Sequence, residues 1–149
     1  MDILNLKQIE NSIEKLLSSS GAKWGKMTAQ HMIEHLVFSI RFSNGKMPQN
    51  LMVSQEKAAN IKDYFLKQNN NFEPGYKIPL LGEELPPLVF ENLEKAKENL
   101  LLDLSEFYKY FKENPDDKPV NIIMGPLSKD EWIKMHIKHL EHHFKQFGI

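Results

Sequence analysis

The chain has 149 residues, no cysteine and a formal net charge of -1, with 41% hydrophobic and 26% charged residues. A nearly neutral chain has no electrostatic footprint for a phosphate backbone, so nucleic-acid binding is not expected. No apolar run approaches the roughly 18 to 20 residues of a membrane span, and the absence of cysteine leaves only nitrogen and oxygen ligands for a metal.

The first half of the chain predicts three helices. Apolar residues at three-and-four spacing indicate an amphipathic helix over residues 5–17, which the run SSSG ends. A second helix begins after Thr28 as its N-cap and runs to the turn at residues 43–45. A third helix, with a thin apolar face, is predicted over residues 54–67.

The second half begins with a long loop. The segment FEPGYKIPLLGEELPPLVF, residues 72–90, carries four prolines and two glycines, which disfavour regular structure. We interpret it as a strap that covers the domain, with a lid or pocket wall as the functional alternative. A long helix over residues 93–111 follows, closed by the turn ENPDD, and a capping box of Ser128 and Glu131 opens a last helix that ends at Gly148.

These elements predict an all-α fold in one domain over residues 1–149. No segment alternates with period two for long enough to require a sheet, so we expect a four-helix bundle with an extra short helix and a long proline-rich loop. Charges interrupt the amino terminus where a signal peptide would need an apolar core, which predicts a cytoplasmic protein without a membrane partner.

Four of the six histidines lie in HIKHLEHHFKQFG, close to the carboxyl terminus. His139 and His143 are one helical turn apart, so two imidazoles could converge on one ion at about 2.1 Å. His31 and His35 have the same spacing on the second predicted helix. A pair from one helix with one ligand from the other would give three neutral nitrogens and open positions for water. The alternative is that all of these are ordinary hydrogen-bonded histidines.

Two stretches resemble the DinB-like superfamily, also called the YfiT-like metal-dependent hydrolases. They are WGKMTAQHMIEH, from Trp24 to His35, and HLEHHFKQ, from His139 to Gln146. The ends WGKM and HHFKQFG are similar to one branch of it, a domain of unknown function. The resemblance implies an up-and-down helical bundle, frequent homodimers, and a divalent ion, nickel or zinc, on His35, His139 and His143. Some members transfer low-molecular-weight thiols to electrophiles.

Three further histidines depart from that pattern. His136 lies as close to the apolar stripe of the last helix as His143 does. An acid or base role near the ion and a packed histidine bonded to a carbonyl are equally favoured for it, both above a fourth ligand. His31 and His142 are expected to be peripheral.

Other residues near the predicted ligands receive supporting roles. Gln146 is expected to orient a ligand or a neighbouring helix, because an amide is a poor ligand beside imidazoles. Trp24 and Trp132 are expected to pack near the site. Glu34 and Glu141 adjoin ligand histidines in sequence, which turns them aside by about 100° on a helix, so we expect both at the surface.

The predicted function is a metal-dependent enzyme acting on a small molecule, a hydrolase or a thiol transferase. The ion would activate water or a thiol, with catalytic residues other than the ligands left unassigned. The alternative is a non-catalytic bundle that binds a small molecule or a partner helix and carries a structural or incidental metal. A histidine-based pH switch without metal ranks third.

Overall fold

The computed structural model describes residues 5–76 and 84–149 and is mostly helical. The described residues form five α-helices and one small antiparallel sheet. None of their helices has both the length and the apolar character needed to cross a membrane. The elements are α1 (Leu6–Glu14), α2 (Ala29–Arg41), α3 (Gln55–Lys62) with a π-helical turn (Asp63–Lys67), α4 (Leu93–Glu113), β1 (Val120–Asn121), β2 (Gly125–Pro126) and α5 (Lys129–Phe147).

The predicted helix starts are confirmed by their caps. The side chains of Thr28, Ser54 and Ser128 each accept a hydrogen bond from the backbone N–H three residues further on, as N-caps do. The capping box of Ser128 and Glu131 is complete, and α5 ends at Gly148 in the left-handed conformation, with φ of 70°. Local capping chemistry therefore fixes these boundaries.

The first helix is shorter than predicted. It ends at Glu14 and not at Leu17, because the chain tightens into a turn in which Leu16 N–H bonds to Ile13 O. Leu16 is fully buried, whereas Leu17 is 62% exposed. The turn is fixed from the core, where the Lys97 ammonium donates to Leu16 O at 2.7 Å. Tertiary contacts therefore override the helical periodicity here.

The small sheet was not predicted. Its two strands have two residues each, too few for an alternating pattern to show in the sequence. The Asn121 side chain holds the connection by accepting from the backbone N–H groups of Ile123 and Met124, at 3.0 and 3.1 Å. Ile123 and Met124 are buried, so the hairpin closes the core next to the start of α5.

The core lies around α2, which packs against α4 on one side and α5 on another, while α1 packs against α4. This central position explains why α2 is apolar over most of its surface. The largest fully buried side chains are Ile9, Ile13, Leu16, Met32, Ile33, Leu36, Ile40, Leu100, Leu104, Phe107 and Phe111. The contact of α2 with α5 is the one that assembles the candidate site.

A buried carboxylate connects the end of α2 to α4. Asp103 is completely buried and accepts from Arg41 Nε at 3.0 Å, Lys46 Nζ at 2.9 Å and Asn44 Nδ2 at 3.0 Å. A buried charge is tolerated only when it is paired and hydrogen-bonded in this way. The network fixes the turn after α2 and hence the position of α2 on α4.

Residues 84–90, the second described part of the predicted loop, are called the strap below. It has no regular structure and lies on α2; residues 77–83 of the same prediction lie outside the described residues. Its backbone is held by Glu34, which accepts from Val89 N–H at 2.7 Å and Phe90 N–H at 3.2 Å. The surface position predicted for Glu34 is wrong: it is 4% exposed, because irregular backbone on a helix needs a buried acceptor.

Replacement of Gly45 should destabilise the fold. Gly45 has a φ of 84°, and an added Cβ would lie 2.7 Å from Tyr110 Cε2. We expect Gly45→Ala to lower the free energy of unfolding by about 1–3 kcal/mol, from backbone strain and overpacking. Urea denaturation measures the loss. Gly21→Ala is the matched control, since nothing lies within 4 Å of its Cβ position; equal stability of the two variants would contradict the prediction.

Candidate metal centre

Three histidines from two helices converge at one point. His35 comes from α2 and His139 and His143 from α5, and their ligating nitrogens all lie within 4.8 Å of one another. His139 Nε2 is 2.8 Å from His35 Nε2 and 3.1 Å from His143 Nε2. In a tetrahedral site with bonds of about 2.1 Å, ligand nitrogens are roughly 3.4 Å apart. The three side chains could therefore bind a metal ion after a small outward movement.

The packing of α2 on α5 places these side chains. On α2, Leu36 follows His35 and is buried in the core; on α5, Leu140 follows His139 and Phe144 follows His143, and both are buried. Each ligand histidine is thus turned by about 100° from a core side chain. All three rings lie at the edge of the helix interface, where His35 and His139 keep part of their surface exposed.

Gln146 determines which nitrogen of His143 carries the proton. Its amide Nε2 donates to Trp24 O at 2.9 Å, so its Oε1 faces His143 Nδ1, at 2.7 Å. Nδ1 must then donate, which leaves His143 Nε2 as a bare lone pair directed at the other two histidines. Gly25 permits the contact, because a Cβ there would lie 3.1 Å from Gln146 Nε2. The predicted orienting role of Gln146 agrees with this geometry.

The three facing nitrogens carry too few protons to form hydrogen bonds with one another. With His143 Nε2 bare, its contact with His139 requires a proton on His139 Nε2. His35 Nε2 lies 2.8 Å from the same His139 Nε2. It must either share the His139 proton with His143 or, if it carries a proton itself, bring two hydrogens into contact. A neutral imidazole carries only one N–H, so the ordinary hydrogen-bond inventory does not satisfy both contacts well. A cation among the three lone pairs would satisfy all of them, and the donor set thus fits a metal ion.

Burial keeps these histidines neutral. It lowers the pKa of His35 to about 4 and that of His143 to about 3, and the neighbouring imidazoles add to the effect. The pKa of His139 is lowered well below its usual value, again chiefly by burial. Neutral imidazole is the form that binds metal, so the site is ready for an ion at pH 7 without loss of protons.

His136 lies outside this group. The Ser43 hydroxyl donates to Ile40 O and accepts from His136 Nε2, at 2.7 Å, so the ring is bonded to a hydroxyl and not to the predicted carbonyl. The ring stacks on Trp132, with centroids 5.1 Å apart, and Trp132 Nε1 donates to Pro119 O. Burial lowers the pKa of His136 to about 3. His136 and Trp132 form a packed pair one turn before the ligands, and an acid or base role for His136 stays a prediction.

His31 also has other partners. Its Nε2 donates to Pro86 O of the strap, at 3.1 Å, and its Nδ1 accepts from the Thr28 hydroxyl, at 2.6 Å. His31 and His35, although one helical turn apart, therefore do not belong to the same site. His31 fixes the strap, and His35 belongs to the histidine group.

A cleft of about 240 Å³ lies beside the histidine group. Phe72 borders both, because its ring is 6.0 Å from that of His139 and lines the cleft together with His142, whose ring is 5.9 Å away. Glu141 is exposed at the rim, as predicted. Among the described residues, the cleft is lined by Trp24, Asn71, Phe72, Pro74, Lys138, Glu141, His142 and Lys145.

The loop that carries Phe72 is tied to α5. The Lys138 ammonium donates to Asn69 Oδ1 at 2.9 Å and to Asn71 Oδ1 at 3.2 Å, and Asn69 has a positive φ of 59°. Sequence reasoning missed Phe72 and Lys138 as residues of the site. The available signal was the run QNNN, since asparagine tolerates the left-handed conformation and offers side-chain acceptors.

No protein-family model, curated protein or solved structure matches the chain. Metal binding is therefore inferred from the geometry of His35, His139 and His143 and from the chemistry of imidazole. Membership of the DinB-like superfamily stays a prediction from the sequence motifs.

The metal-free protein should lose stability as the pH falls below about 6.5. Unfolded histidines take up a proton near pH 6.5, whereas His136 in the folded state does so near pH 3 and His35 near pH 4. Between these pKa values the unfolded state binds more protons than the folded state. The contribution of each histidine to the free energy of unfolding is therefore fully present above pH 6.5 and declines as the pH falls. Each such histidine should contribute a loss of about 2 kcal/mol between pH 8 and pH 5.

Urea denaturation with a chelator present, at pH 8, 6 and 5, measures this loss. His136→Gln, whose side chain does not titrate, should lose less than the parent protein over the same interval. Unfolding free energies that are equal at pH 8 and pH 5 would show that the folded histidines are not kept neutral by burial.

Loss of the Gln146 amide should weaken metal binding. Gln146→Leu removes the acceptor that fixes the His143 tautomer, and such partners typically contribute 10- to 100-fold in affinity. We expect a rise of about that size in the zinc dissociation constant, measured by competition with a chromogenic chelator. Gln55→Leu, at an exposed position of α3, is the control. The same affinity in both variants would remove Gln146 from the site.

Proposed function

We propose that this chain is a metal-dependent enzyme in which His35, His139 and His143 hold one divalent ion. The observation that carries the proposal is the convergence of three neutral imidazoles from α2 and α5. Three protein ligands leave coordination positions open, as catalytic sites do and closed structural sites do not. Nickel or zinc is the ion we expect, because imidazole suits both and the sequence resemblance implies them.

When bound, such an ion lowers the pKa of a water molecule or a thiol, and we propose hydrolysis or thiol transfer on a small-molecule substrate. The three ligands are neutral, and the grouping found among the described residues includes no carboxylate, so the charge of the ion would remain unbalanced by its ligands. Glu34 is next to His35 in sequence, but its carboxylate is occupied by the strap. It is therefore not our candidate for a general base.

We further propose that the chain belongs to the DinB-like superfamily and forms a four-helix up-and-down bundle of α1, α2, α4 and α5, with α3 as the extra short helix. The contacts of α2 with α4 and α5, and of α1 with α4, support this arrangement. The motifs WGKM and HHFKQFG support the family and, through it, a homodimer. We also propose a cytoplasmic location.

A second function is favoured by the cleft beside Phe72. A chain that binds a small molecule without transforming it would need such a cleft, and the metal would then be structural or incidental. Chelation separates the two functions. If it unfolds the chain, the metal has a structural role; if the fold survives while turnover is lost, the metal is catalytic.

Metal content tests the ligand set. Untagged protein purified without a metal column should carry about one divalent ion per chain, the stoichiometry of a single site. His35→Ala and His143→Ala should lose the ion and keep their helical circular dichroism, whereas His31→Ala, one turn from His35, should retain it. Elemental analysis gives the content, and an ion-free parent protein after reconstitution with nickel and zinc would refute the proposal.

Activity needs its own measurement. Ion-loaded protein should hydrolyse activated esters or transfer a thiol to an electrophile, and His35→Ala should lose at least about 100-fold of that rate, the scale of catalysis by a bound metal. Loaded protein that is inert toward both substrate classes would favour the binding function.

A further inference from the structure

The cleft beside the histidine group has an aromatic wall. The His142 ring lies between those of Trp24 and Phe72, with centroid distances of 5.6 and 5.9 Å and tilted or edge-to-face orientations. All three side chains are only partly buried, and all three line the cleft. Aromatic rings of this kind present a flat apolar surface, on which a flat apolar group packs well.

The described residues at the rim of the cleft carry more positive than negative charge. Lys138 and Lys145 contribute two ammonium groups, and Glu141 contributes one carboxylate. The hydrogen bonds of Lys138 go to neutral asparagine oxygens, and the Glu141 carboxylate offsets part of its charge. Lys145 forms no ion pair within 4 Å with a carboxylate in the described ranges. An anionic group at this rim would therefore be favoured over a neutral one.

Phe72 connects the cleft to the ligands of the proposed ion. Its ring contacts that of His139 and also lines the cleft. A molecule seated in the cleft would contact Phe72 and His142, whose rings adjoin those of His139 and His143. The volume of about 240 Å³ limits that molecule to a small one.

We propose that this cleft binds the substrate of the metal centre and that the substrate class is a small anion with a flat apolar body, such as an aromatic carboxylate. The apolar body would pack on Trp24 and Phe72, and the anionic group would lie at Lys145. That the bound molecule is a substrate rests on the proposed function. Binding itself requires only the cleft, and it can be measured without an ion.

Calorimetric titration with 2-naphthoate and its neutral analogue 2-naphthamide tests the proposal on the full chain, first stripped of metal and then loaded with zinc. Stripped protein should bind the naphthoate about two- to fivefold more tightly than the amide, the effect of one exposed charge contact. Lys145→Gln should abolish that preference. Trp24→Ala should weaken both probes about tenfold, because it removes the aromatic wall.

Lys112→Gln is the matched control, since it removes an exposed lysine from α4, away from the cleft. Equal affinities for the two probes, or a preference that survives in Lys145→Gln, would overturn the proposal. Should Trp24→Ala fail to fold, the Lys145 and Lys112 variants at the surface still decide it. Naphthoate binding to a chain that takes up no zinc would leave the cleft established and refute the proposed function. Uptake of one zinc per chain without naphthoate binding would support the metal site and refute the proposed role of the cleft.

Discussion

The crowding of three imidazole nitrogens is the constraint on which the candidate site depends. His35, His139 and His143 bring their Nε2 atoms together with too few protons to hydrogen-bond all of them well. Burial lowers the pKa of each ring, so protonation at neutral pH does not relieve the shortage. An arrangement of this kind is unfavourable for the metal-free protein and favourable for one that binds a cation.

The remainder of the fold holds that crowded arrangement in place. Gln146 connects His143 to the backbone of Trp24, and Asp103 fixes the end of α2 on α4. Glu34 holds the strap against the same helix that carries His35. Each connection uses a polar side chain with its hydrogen bonds satisfied inside the protein, which makes the ligand positions rigid without a metal. The site is thus supported from α2, α4, α5 and the segment before α2.

Much of this could be predicted from the sequence, for reasons that are local. Capping residues such as Thr28 and Ser128 determine helix starts within a few residues of chain, and i, i+4 spacing alone places His139 above His143. The errors concern long-range contacts. Glu34 appeared to be a surface charge because its partners are backbone groups 55 and 56 residues away. Leu17 is exposed because Lys97 fixes the preceding turn from another helix.

The separation of the ligands along the chain has a consequence for the order of folding. His35 Nε2 meets His139 Nε2 across 104 residues, and Lys23 N–H bonds to Gln146 O near the other end of the chain. The three-nitrogen arrangement therefore does not exist until α5 has docked on α2. A pair such as His139 and His143 can bind an ion only loosely by itself, since it lacks the third nitrogen. Acquisition of metal would thus follow the docking of α5 on α2 and would not nucleate folding.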